Sequence, residues 1–321
     1  MNVLVTGGAG FIGSHVAERL LHLGHNVSII DDLNEFYSPE LKQENLAIVR
    51  KSGPVRFYEG DICCEPLVSQ VVGECRPEAV IHLAARAGVR PSLENPLLYE
   101  RVNVRGTMTL LEACRLSATR KFVFASSSSI YGITNQVPFR EDETDQRPIS
   151  PYAATKIAGE KICYTYSHLY SLNIACLRFF TVYGPRQRPD LAIRKFIESI
   201  DRHEPIPVFG DGSSGRDYTY IDDIVQGVIA ALHLDCLYDT FNLGNSHPVT
   251  LSTVISTIET CLGKKAEIRR LPMQPGDVPI TYADISKAKK ALGYCPETGF
   301  DQGIETSVKW YLSRKAVQTG A

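Results

Sequence analysis

An apolar run at the start of the chain, Met1-Asn2-Val3-Leu4-Val5, breaks into Thr6-Gly7-Gly8-Ala9-Gly10-Phe11-Ile12-Gly13. A stretch with helical spacing follows, from Ser14 to Leu23. Glycines 7, 10 and 13, placed between a strand and a helix, constrain the fold more than any other feature. They mark the first turn of a βαβ unit. Glycine lets the chain turn tightly and lets its backbone approach a neighbouring group. The helix N-terminus then offers unpaired N–H groups and a partial positive charge, which suits a pyrophosphate. Asp31 stands 18 residues beyond Gly13, at the end of the next apolar run, Asn26 to Ile30. A carboxylate there accepts hydrogen bonds from an adenosine ribose diol and repels a 2′-phosphate. No arginine occupies the turn Asp31-Asp32-Leu33-Asn34, so NAD is favoured over NADP.

The alternation continues. Further strands are predicted at Val55–Tyr58, Ala79–Leu83, Phe122–Ala125 and Ile174–Arg178, with helices over Tyr99–Cys114 and Tyr152–Leu172. Strands alternating with helices imply an α/β fold, a Rossmann-type doubly wound parallel sheet covered on both faces. After Phe180 the pattern loosens. Pro, Gly and charge crowd residues 184–190, 209–216 and 272–279, which read as loops.

Composition removes other classes. Of 321 residues, 44% are apolar and 22% charged, enough for a large core. A net charge of −2 gives no general attraction to nucleic acid or to an anionic membrane. No uninterrupted apolar run reaches the ~18 residues of a spanning helix, and the N-terminus lacks a signal-peptide pattern; the expected location is the cytoplasm. The nine cysteines include no Cys-x-x-Cys pair, and His22 and His25 lack a third ligand nearby. Reduced thiols and no metal are expected.

Two further groups carry chemistry. Tyr152 and Lys156 lie four apart on one helix face. An ammonium beside the phenol, with a positive nicotinamide ring close by, would lower the phenol pKa from about 10 and make it a base near neutral pH. The hydroxyl cluster Ser126-Ser127-Ser128-Ser129 follows directly on an apolar strand. Open α/β sheets bind their ligands at the carboxyl ends of strands.

Together these residues resemble the extended short-chain dehydrogenase/reductase superfamily, in its nucleotide-sugar epimerase branch. The resemblance runs from Val3 to about Trp310. It also rests on Gly60-Asp61-Ile62, His82-Leu83-Ala84-Ala85, residues 177–185, residues 216–223 and residues 274–278. It implies a dinucleotide domain over residues 1–180, with a returning segment near 218–245. Residues 181–321 would mainly form a smaller α/β domain for the nucleotide-sugar. NAD would be held by Gly7, Gly10, Phe11, Ile12, Gly13, Asp31, Asp32, Asn34, Asp61, Ile62, Leu83, Ala84, Ala85 and Asn103, together with Tyr152 and Lys156. Ser127 would share the substrate 4-hydroxyl with Tyr152. Thr181, Arg216 and Asp277 would hold the nucleotide-sugar. A homodimer through the helices Tyr99–Cys114 and Tyr152–Leu172 is implied as well.

Related dehydratases and decarboxylases carry a carboxylate after the Ser/Thr at position 127. Here Ser128 and Ser129 follow, which favours epimerisation through a transient 4-keto sugar. Residues 87–92, 180–185 and 188–190 look most like UDP-glucuronate 4-epimerases, which interconvert UDP-glucuronate and UDP-galacturonate. Arg90 and Arg188 could flank the sugar end of the pocket, and a C6 carboxylate would want a bidentate Arg and a donor such as Thr181. Both arginines could equally serve phosphate or solvent. Gln274 stands where galactose epimerases often have Arg, so diphosphate binding rests more on Arg216. The alternatives are a UDP-glucose 4-epimerase, a nucleotide-sugar decarboxylase and a non-catalytic NAD-binding module.

Overall fold

The computed structural model describes residues 1–117, 119–133, 136–144, 146–272 and 280–319, with side chains to residue 316. The first half runs β1 (Asn2–Thr6), α1 (Phe11–His22), β2 (Asn26–Asp31), α2 (Pro39–Ser52), β3 (Val55–Glu59), α3 (Glu65–Cys75) and β4 (Ala79–His82). Short helices α4 (Val89–Glu94) and α5 (Pro96–Glu100) lead through one wide π turn, Arg101–Arg105, into α6 (Gly106–Arg115). Then come β5 (Lys121–Ser127), α7 (Pro151–Tyr170), β6 (Asn173–Phe179) and β7 (Thr181–Tyr183). The remainder is α8 (Ala192–Asp201), β8 (Ile206–Phe209), β9 (Gly215–Tyr220), α9 (Ile221–His233), β10 (Tyr238–Leu243) and β11 (Pro248–Thr250). It ends with α10 (Leu251–Leu262), β12 (Ile268–Leu271), β13 (Ile280–Thr281), α11 (Ser286–Leu292) and α12 (Phe300–Thr319).

Seven strands form one parallel sheet in the order β10-β6-β5-β4-β1-β2-β3. The central strands β4 and β5 are buried along their whole length, as parallel strands covered on both faces must be. The winding direction reverses between β1 and β4, which opens a crevice beyond their carboxyl ends. β10 rejoins this sheet from the second half, and α9 packs on α1. β7, β9, β11 and β13 make a smaller sheet, and β8 pairs with β12. Among the described residues, no helix is long and apolar enough to cross a membrane.

The expected strands and the doubly wound class hold. The sequence reading passed over α2, α3 and the helices of the second half, α8 to α12. In α2 the buried residues Lys42, Asn45, Leu46 and Val49 carry the helical period, but two of them are polar, which hides it. The expected unbroken helix Tyr99–Cys114 is corrected: the π turn interrupts it. That turn swings Asn103 so that its Oδ1 accepts from Arg86 N at 2.8 Å and its Nδ2 donates to Arg86 O at 3.0 Å. Such single π turns recur at functional sites.

Candidate functional site

The glycine turn, β2, the loops after β3, β4 and β5, the start of α7 and residues 179–191 surround one large cleft. Gly7 has a φ of +70°, and a Cβ there would lie 2.7 Å from Ala84 N. A Cβ on Gly13 would lie 2.1 Å from Gly7 O. This cradle has no room for side chains, which fits the approach of a pyrophosphate to the α1 N-terminus. Gly13→Ala is therefore expected to yield folded protein with little dinucleotide. Chromatography of nucleotide released on denaturation reads this out; undiminished content would contradict it.

Asp31 is 7% exposed and braces the turn: Oδ2 accepts from Ala9 N at 3.1 Å and Oδ1 from Leu33 N at 3.0 Å. Burial raises its pKa while these bonds and Lys42 favour the charge. The carboxylate keeps lone pairs for a ribose diol. Asp32, Asn34, Asp61, Ile62, Leu83, Ala84 and Ala85 line the same cleft, as do Gly7, Gly10, Phe11, Ile12 and Gly13. Asn103 does not line it; it sits 2% exposed behind the Arg86 loop, which it holds by both backbone atoms. Sequence reading missed Phe36, Tyr37, Lys42 and Arg86, which also line the cleft. Lys42 Nζ donates to Asn34 O at 2.6 Å, and Arg86 reaches Asp32 at 3.4 Å. No spacing rule ties these cations to the glycine turn; only the fold brings them there.

A buried polar chain fixes the crevice floor. Thr6 Oγ1 accepts from Ala84 N at 3.1 Å and donates to His82 Nδ1 at 2.7 Å. His82 Nε2 then donates to Thr107 Oγ1 at 2.9 Å, which donates to Asn103 O at 2.7 Å. Only neutral His82 satisfies this chain. Burial, aided by Lys156, lowers its pKa to about 3. Burial and the Arg186 charge bring His15 to about 3 as well. The unfolded chain binds both protons near pH 6.5, so stability is lost as pH falls from 6.5 toward 3. The expected slope is about 1.4 kcal/mol per pH unit for each histidine midway through that window. Urea titrations between pH 7 and pH 5 read it, and His82→Gln should flatten the slope by about one proton. An unchanged slope in that variant would contradict the assignment.

Ser150 caps α7, accepting from Ala153 N at 3.2 Å, and Pro151 occupies its first position. Tyr152 thus sits in the first turn, where the helix dipole favours a phenolate. Its ring meets Tyr99 edge-on at 6.2 Å. Burial raises the phenol pKa, while the Ser127 hydroxyl and then the Arg188 guanidinium lower it. The ammonium expected beside the phenol has its hydrogen bond on another element: Lys156 Nζ donates to Ala125 O at 2.7 Å and stands 5.0 Å from the Phe124 ring centre. Burial lowers its pKa to about 8, which leaves it charged at neutral pH. Ser127, Ser128 and Ser129 line the cleft beside Tyr152, and Ser127 Oγ donates to Ser129 Oγ at 3.2 Å.

Thr181 and Arg188 also line the cleft. The Arg188 side chain is 16% exposed, grips Asp190 through two bonds of 2.9 and 2.7 Å, and lies 5.2 Å over the Phe36 ring. Arg90 does not line the cleft; it lies 4.9 Å over the Phe209 ring of β8. Arg216, on β9, donates to Gly215 O at 2.8 Å and lies outside the lining. Gln274 and Asp277 fall outside the described residues.

Comparison with known proteins agrees with this geometry. The GDP-mannose 4,6 dehydratase family profile matches residues 4–307. A UDP-glucuronate 4-epimerase of Thermodesulfobacterium geofontis is 46% identical over 96% of this chain and 95% of its own length. Among solved structures, the UDP-glucuronic acid 4-epimerase from Bacillus cereus in complex with UDP-glucuronic acid and NAD superposes with a TM-score of 0.91 at 36% identity. That match covers 98% of this chain and 100% of the other. A UDP-glucose 4-epimerase from Thermotoga maritima with UDP-glucose gives a TM-score of 0.91 at 34% identity over the same shares.

Proposed function

This chain belongs to the GDP-mannose 4,6-dehydratase family of extended short-chain dehydrogenases/reductases, as an NAD-dependent UDP-sugar 4-epimerase, and we propose that it interconverts UDP-glucuronate and UDP-galacturonate. The observation that carries the choice of sugar is Arg188. It lines the same cleft as Thr181 and Tyr152, its charge lowers the Tyr152 pKa, and its guanidinium is largely buried there.

Bound NAD⁺ supplies the acceptor, and later the donor, of the hydride at C4 of the sugar. Gly7 to Gly13, Asp31 and the Leu83–Ala85 loop would hold it. Tyr152 takes the proton of the 4-hydroxyl and later returns it to the same oxygen, so no proton is consumed. Ser127 shares that oxygen and steadies the phenolate. Lys156, fixed on Ala125 O, keeps a positive charge at the base of the pocket. A 4-keto uronate is a β-keto acid and can lose CO₂. Arg188 and Thr181 hold its carboxylate by directed hydrogen bonds, away from the geometry that favours loss.

UDP-[4-²H]glucuronate tests the reaction. The deuteron is expected at C4 of UDP-galacturonate, with none in water and no CO₂ released. Label lost to solvent, or CO₂ formed, would overturn it. One observation favours glucose as substrate instead: Asp190 already occupies the Arg188 fork, and a neutral sugar would leave that pair intact.

We extend the proposal to domains at residues 1–180, with 218–245 returning, and 181–321, and to a cytoplasmic homodimer. Exposed Leu97, Met108, Leu116, Tyr164 and Leu169 along α5, α6 and α7 support a dimer. Sedimentation is expected to give twice the 35.6 kDa chain mass; a monomer at micromolar concentration would refute that part.

A further inference from the structure

We propose that Arg186 is a positioning residue: held against α1 by His15 and Glu18, it fixes the turn that carries Arg188 into the pocket. The inference rests on the reading of Arg188 as the group that meets the substrate carboxylate.

The turn between β7 and α8 sends its side chains three ways. Gln187 is buried, donates from Nε2 to Val182 O at 2.9 Å, and accepts from Arg194 N at 3.0 Å. Arg188 points to the cleft. Arg186 goes to α1, where Nε donates to His15 Nε2 at 3.2 Å and Nη2 pairs with Glu18. His15 can only accept there, because its Nδ1 donates to Phe11 O at 2.9 Å. The α1 backbone thus sets the tautomer that receives Arg186. Phe11 itself lines the dinucleotide cleft. One continuous set of contacts therefore runs from the glycine turn to the residue that selects the sugar.

Arg186 is an unfavourable choice for a turn that only had to close. Its φ is +63°, a left-handed conformation in which glycine or asparagine would be unstrained. Its side chain is 9% exposed, and among the described residues Nη1 is a buried donor without a hydrogen-bond partner. Strain of this kind persists where surrounding contacts over-determine it, and it clusters at ligand sites. The purpose served is register: Arg186 and Arg188 are separated by one pinned residue, so the first fixes where the second can reach.

The test is steady-state kinetics on both sugars, with calorimetric binding of UDP-glucuronate, for Arg186→Ala, His15→Phe and His15→Gln, with Arg188→Ala as reference. Arg186→Ala and His15→Phe should each raise KM for UDP-glucuronate about tenfold or more, the scale expected of a misplaced contact. Constants for UDP-glucose should stay within about twofold, and kcat for UDP-glucuronate should change less than KM. His15→Gln, which keeps an acceptor, should restore most of the affinity. Equal losses on both sugars, or a lowered melting temperature with an unchanged ratio of KM values, would overturn the proposal. If Arg188→Ala discriminates between the sugars and neither Arg186→Ala nor His15→Phe does, the tether alone fails. If Arg188→Ala does not discriminate, the reading of Arg188 fails and the tether's role falls with it. His15→Phe carries the test if Arg186→Ala does not fold.

Discussion

Tyr152→Phe is expected to lower kcat about 10³-fold on every sugar the protein accepts, with fold and bound dinucleotide unchanged. A positioned general base contributes on this order, and the cleft offers no obvious substitute. Ser127 to Ser129 are hydroxyls without a neighbouring base, and Lys156 is committed to the Ala125 carbonyl. The structure also shows why the phenol alone is a poor base. Burial raises its pKa, while Ser127, Arg188 and the α7 N-terminus oppose that rise. Stopped reactions and nucleotide content read the variant. A loss under about tenfold, too small for a missing general base, would require another proton acceptor.

Arg188→Ala is expected to lower kcat/KM for UDP-glucuronate about 10²-fold, equivalent to about 2.7 kcal/mol, the scale of a lost charge-assisted pair. UDP-glucose should lose no more than about threefold. The asymmetry follows from charge. A C6 carboxylate drawn from water into this pocket needs a partner, whereas a hydroxymethyl group does not. Asp190, the present partner, is 39% exposed and can remain hydrated when the substrate takes its place. Thr181 supplies a hydroxyl in the same cleft. Equal losses on both sugars would remove the clamp and leave Arg188 as a phosphate or structural residue.

The dinucleotide half was legible because its determinants are local. Gly7, Gly10, Gly13 and Asp31 act through one turn and the strand after it, and the alternation of apolar runs carries the sheet. Tyr152 and Lys156 could be paired from helical spacing, yet the direction of the ammonium could not. It depends on the Ala125 carbonyl, on another element. The sugar end was less legible for the same reason. Arg90 and Arg188 both read as loop arginines near the pocket, but only packing decides that one lies over Phe209 of β8 and the other lines the cleft with Tyr152. Lys42 and Arg86 join the site from α2 and from the loop after β4, with no motif to announce them. Asn103 was recognised but misplaced, because a π turn is invisible to an expectation of regular helix.

Proton NMR of the purified protein with UDP-glucuronate and, separately, with UDP-glucose, with no NAD added, tests the central claim most directly. Conversion of UDP-glucuronate to UDP-galacturonate, with little action on UDP-glucose, is the expected result; it would also show that the dinucleotide stays with the protein through purification. Conversion of UDP-glucose alone would contradict the assignment of the sugar, while leaving the fold and the Tyr152 chemistry in place.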